Sequence, residues 1–82
     1  MIATKNIESR QDFIKFVEFL QKDLAENPND WENRSLADFL EAMSCYAEDI
    51  TYYYKNTGQN INADTPSWRV FADILCGAKV YE

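Results

Sequence analysis

The chain has 82 residues, 15% of them aromatic, with two glycines, two prolines, no histidine and a net charge of −6. A chain of this length is one small folded domain with a thin core, because it buries only about 60% of its unfolded surface. The net negative charge gives sequence-independent nucleic-acid binding no electrostatic source and disfavours anionic lipid, and no apolar run approaches the ~20 residues that span a bilayer.

Residues 1–8 read as a short lead-in. They carry no apolar stretch of the signal-peptide kind, so the expected location is the cytoplasm, with Cys45 and Cys76 as reduced thiols. Ser9 followed by Asp12 is close to a capping box, and a helix is predicted over 10–26. Within it Phe13, Phe16, Val17, Leu20 and Leu24 recur at helical spacing, with Ile14 and Phe19 widening the stripe. Lys15, Glu18, Lys22 and Glu26 take the opposite side. Asn27-Pro28-Asn29-Asp30 ends the helix, because Pro28 disfavours helical geometry at Asn27. A short extra turn is expected near 29–33, around Trp31.

Ser35 and Asp38 repeat the hydroxyl-and-acid start signal, and a second helix is predicted over 36–57. At about 100° per residue, Leu36, Phe39, Leu40, Met43, Ala47, Ile50, Tyr53 and Tyr54 share one arc, the expected buried side. Asp38, Glu41, Cys45, Glu48, Asp49, Tyr52 and Asn56 share the other. Gly58 is the natural residue to close this helix, with Lys55 at the negative end of its dipole. Thr65-Pro66 reads as a third start, for a helix over 66–78 with Trp68, Phe71, Ile74, Leu75 and Ala78 inward and Gly77 near its end. Strand signals are weak. The fold class is therefore all-α, a compact three-helix bundle of up-down-up form.

Without histidine there is no near-neutral general base and no Ser-His or Cys-His pair. Two glycines cannot make a phosphate-cradling loop. The expectation is a non-enzyme without a cofactor. The carboxylates of the second helix fan along one exposed side and do not converge as a hard-cation site requires, so no metal is expected. They suit a basic protein partner instead: Asp38, Glu41, Glu48 and Asp49 supply charge, and Tyr52 supplies an amphipathic ring, with Trp31 as a further contact. Cys45, among these acids, is a poor setting for a reactive thiolate. Trp31 and Trp68 also read as structural anchors, each indole N–H then needing an acceptor. Two other readings stand beside the docking face. One is a homodimer, in place of a monomer, sharing an apolar strip of Ile14, Phe19 and Ile74. The other is an enzyme or small-ligand protein with a pocket among the aromatics.

The stretch Trp31-Glu32-Asn33-Arg34-Ser35-Leu36-Ala37-Asp38-Phe39-Leu40-Glu41-Ala42-Met43 resembles the W-x-N-x-[ST]-L-x-x-F-L-E-A-M block of a small bacterial domain family of unknown function. Pro66-Ser67-Trp68-Arg69-Val70-Phe71-Ala72-Asp73-Ile74-Leu75 resembles its closing segment, and the likeness runs from Asp12 to Tyr81. The resemblance implies a compact helical protein without assigned catalytic residues. Small acidic proteins of this general type are similar to immunity proteins that neutralise basic toxin domains, an analogy of type and not of residues.

Overall fold

A computed structural model describes residues 3–81. It contains three α-helices, α1 (Arg10–Glu26), α2 (Leu36–Asn56) and α3 (Trp68–Ala78), with short 3₁₀ turns at Thr4–Asn6 and Pro28–Asp30. Each helix begins at a serine. Ser9 Oγ accepts the Asp12 N–H at 3.1 Å while the Asp12 carboxylate accepts the Glu8 N–H at 3.1 Å. Ser35 Oγ accepts the Asp38 N–H at 3.1 Å, and Ser67 Oγ accepts the Val70 N–H at 3.0 Å. These bonds satisfy donors that the first helical turn leaves free.

The third start differs from the expected one. Thr65 is not a cap: its N–H closes a turn onto the Asn62 carbonyl at 3.1 Å, and extended Ser67 interrupts the chain before α3 begins. Gly58 behaves as its position suggests. It adopts φ +69°, and the Gln59 and Gly58 N–H groups return to the Tyr54 and Lys55 carbonyls at 2.9 and 3.2 Å. That is the paired closure a left-handed residue allows at a helix end.

The short α3 is the central strut. Both α1 and α2 pack on it, α2 more extensively, while direct contact between α1 and α2 is slight. Phe16, Leu20, Trp31 and Ala72 form the core with Ile7, a residue of the lead-in that the helical patterning did not mark. Phe13, Phe19, Leu24, Phe39, Trp68 and Leu75 pack around it.

On α2 the buried residues are Ala42, Ile50 and Tyr54, with Phe39, Met43 and Tyr46 half-buried. Leu36 is 74% exposed and Leu40 51% exposed, and Ala47 and Tyr53 also lie outside, against the expectation that all four face inward. The buried arc is thus turned by roughly 30° toward Ala42 and Tyr46. The cause is the one-sided packing: α2 has α3 for a neighbour, and the flank that would meet α1 meets a groove instead.

Trp31 is 6% exposed. Its indole N–H donates to Asp23 Oδ2 at 2.8 Å, and Lys79 Nζ reaches the same oxygen at 2.8 Å while lying 5.5 Å from the indole centroid. Two residues on, Asn33 Nδ2 donates to the Ala78 and Tyr81 carbonyls at 2.9 and 2.7 Å, and the Glu32 and Asn33 N–H groups meet the Lys79 carbonyl. The Trp-x-Asn segment therefore clamps the α1–α2 connection to the end of α3, where helix carbonyls lack intrahelical partners. This is the anchor reading of Trp31, which leaves it little exposed, at the wall of the groove beside Leu36 and away from the acids of α2.

The Lys79 and Trp31 hydrogen bonds hold the Asp23 carboxyl below its ordinary value of 3.8. A lowered native value means that the charged form stabilises the fold above the unfolded value and that this contribution is lost as pH falls below 3.8 toward the native one. Asp23→Asn is accordingly expected to lower the thermal midpoint at neutral pH, with the gap to wild type closing in acid, as followed by circular dichroism across a pH series.

Candidate functional site

Five of the residues expected to meet a partner do stand together on the open side of α2. Asp38, Glu41, Glu48, Asp49 and Tyr52 are all exposed, Tyr52 by 65%. Among the described residues the ion pairs are Arg69 with Asp73 and Lys79 with Asp23, so no lysine or arginine neutralises this face. Asp38 and Glu41 border a cleft of about 210 Å³ that Asn33 and Tyr81 close. The Tyr81 hydroxyl donates a hydrogen bond to Asp49, and that bond pushes the Tyr81 phenol above its usual value. No three His, Cys, Asp or Glu side chains cluster as a metal site among the described residues.

Beside the acids runs an apolar flank. Leu36 lines a groove of about 320 Å³ with Val17, Leu20, Leu24, Phe39 and Leu75. The strip expected to be shared between copies is different: Ile14 is exposed, but Phe19 packs on the core and Ile74 is half-buried. The apolar surface that α1 and α2 leave open is carried by Leu36, Leu40 and Val17.

A second centre lies between α2 and α3. Tyr54, fully buried, donates its hydroxyl to Asp73 Oδ2 at 2.5 Å, and Asp73 is 5% exposed. Arg69 Nε stands 3.6 Å from the same oxygen, and Arg69 Nη2 donates to Gln59 Oε1. Burial first, and the bond to Asp73 second, push the Tyr54 phenol well above its usual value. This group opens onto a cavity of about 450 Å³, walled by Tyr46 and Tyr53 from α2 and by Lys5 from the lead-in turn. Burial raises the Tyr46 phenol to about 12 and pushes the Cys76 thiol up. The Tyr46 ring lies against Gly77, where a Cβ would overlap it. Sequence patterning did not single out Asp73. The available signals were an acid on the same arc of α3 as Val70 and Gly77, and the Arg69–Asp73 spacing of an i,i+4 pair.

Residues 9–82 match the model of one protein family. The chain belongs to DUF7660, a family of unknown function. No curated protein and no solved structure matches the chain significantly. The family match starts at Ser9, the cap of α1, and takes in the whole acidic face and the Tyr54–Asp73–Arg69 group; the Thr4–Asn6 turn at the cavity wall and the core residue Ile7 precede it. No helix among the described residues is long and apolar enough to cross a membrane.

The Tyr46–Gly77 contact has a diagnostic sign. A glycine inside an open helix is usually improved by alanine, by roughly 0.5–1 kcal/mol. Here Gly77→Ala is expected to destabilise by about 1–3 kcal/mol in urea unfolding, because the ring must give way. Combining it with Tyr46→Ala should remove most of that penalty.

Proposed function

We propose that this chain is a non-catalytic protein-interaction domain of the cytoplasm that takes a basic partner protein on the outer face of α2. The observation that carries the reading is that Asp38, Glu41, Glu48 and Asp49 stand exposed on one face with no cation of the described residues paired to them. Unpaired like charge on one helix face is a cost to the free domain that an opposite charge relieves. Tyr52 adds an aromatic contact one turn beyond Glu48 and Asp49, and the exposed Leu36 and Leu40 give a partner an apolar edge to bury. The partner is thus basic on one side and apolar on the other. Charge of this kind chiefly speeds and selects association, and a basic toxin domain held by a bacterial immunity-like protein is one partner of that chemistry.

A second reading rests on the Leu36, Leu40 and Val17 surface: two copies bury it against each other, with the acids left at the rim. Light scattering at micromolar concentration separates the two, a stable dimer favouring the second.

The decisive variant carries Asp38→Asn, Glu41→Gln, Glu48→Gln and Asp49→Asn. In cross-linking from source cells, wild type is expected to capture a basic protein whose yield falls with added salt, and the variant is expected to lose it while keeping the wild-type thermal midpoint within a few degrees. Equal capture by both proteins contradicts the acidic-face reading.

A further inference from the structure

The cavity between α2 and α3 has a chemistry opposite to the rest of the surface. In a protein of net charge −6, its wall brings together two cations, Lys5 and Arg69, and one carboxyl group, Asp73, whose Oδ2 is already taken by the Tyr54 hydroxyl. Arg69 is incompletely satisfied. Of the five N–H donors of a guanidinium, one is bonded, to Gln59, among the described residues. Its Nε is buried without a hydrogen-bond acceptor, since Asp73 Oδ2 at 3.6 Å is beyond reach. A buried donor without an acceptor is rare in native proteins and carries a desolvation cost. The rest of the wall is aromatic: the Tyr46 and Tyr53 rings stand 6.3 Å apart at 52° to each other. About 450 Å³ accommodates a small organic molecule.

We infer that this cavity binds a small planar organic anion, with a carboxylate on the free face of Arg69 and near Lys5, and the ring against the wall that Tyr46 and Tyr53 form together. A guanidinium fork matches a planar carboxylate through two parallel hydrogen bonds, and a ring of the ligand stacks on tyrosine at little entropic cost. The site is separate from the acidic face of α2, since Tyr46 and Tyr53 lie on the α3 side of the helix and Tyr52 on the other.

The test is a titration of the ¹⁵N-labelled full chain with benzoate, 4-hydroxyphenylacetate and indole-3-carboxylate, with inorganic phosphate as the non-planar comparison. At least one of the aromatic carboxylates is expected to give saturable amide shifts at Tyr46, Tyr53, Arg69 and Gly77 below about 10 mM, with phosphate weaker. Arg69→Gln is expected to weaken binding about tenfold or more. Lys5→Ala, a change at an exposed residue outside the core, is expected to weaken it by a smaller factor while leaving the spectrum of the free protein intact, so the outcome does not hang on Arg69→Gln folding. Absence of saturable shifts with all the aromatic carboxylates, shifts confined to another surface, phosphate binding as tightly as they do, or wild-type affinity in both variants would overturn the assignment.

Discussion

The seam between α2 and α3 is the contact on which the other features depend. Two details set it. Gly77 lets the Tyr46 ring lie against the α3 backbone, and Tyr54 reaches across to donate to Asp73 at 2.5 Å. An aspartate that is 5% exposed would be destabilising without such a donor, because a buried polar group needs a hydrogen bond to offset its desolvation. Through these contacts α2 is committed to α3, and its orientation about its own axis is fixed. The exposed positions of Leu36 and Leu40, the open groove beside α1 and the outward presentation of the acids all follow from that orientation.

The C-terminal end of α3, just beyond Gly77, is held by a second device. Asp23 of α1 gathers Trp31 and Lys79, and Asn33 takes the terminal carbonyls of α3. A helix of this length is marginal in isolation, so a strut of eleven residues needs partners on more than one side. With α1 clamped there and α2 sealed along the seam, α1 and α2 have little need to touch each other, and the apolar gap between them is the consequence.

Much of this was legible in the sequence, for local reasons. Ser9, Ser35 and Gly58 act through neighbours within a few positions, so their roles and the helix bounds follow from spacing alone. The outward set on α2, from Asp38 to Tyr52, was also readable, because acids are rarely buried without a partner. What depends on three dimensions was not. A helical wheel centres the buried arc on the apolar residues, and it placed Leu36 and Leu40 inward; only the one-sided packing against α3 shows them outside. Trp31 read first as an anchor whose indole N–H needs an acceptor, but the sequence did not name that acceptor as Asp23. Thr65-Pro66 carries as good a start signal as Ser67, and the turn at Asn62 decides between them. Asp73 was hidden because an acid on a helix reads as solvent-facing, and its donor lies nineteen positions away, on another helix.

The seam also divides the surface of the molecule into two chemically different sides. Its outer side presents unpaired negative charge and its inner end presents a cavity with two cations and two tyrosine rings. A double-mutant cycle on Tyr54→Phe and Asp73→Asn measures the contact between the two sides directly. In urea unfolding the two changes are expected to be coupled by about 1–3 kcal/mol, the double variant being more stable than the sum of the single losses implies. Losses that add to within about 0.5 kcal/mol would contradict the seam as the organising contact.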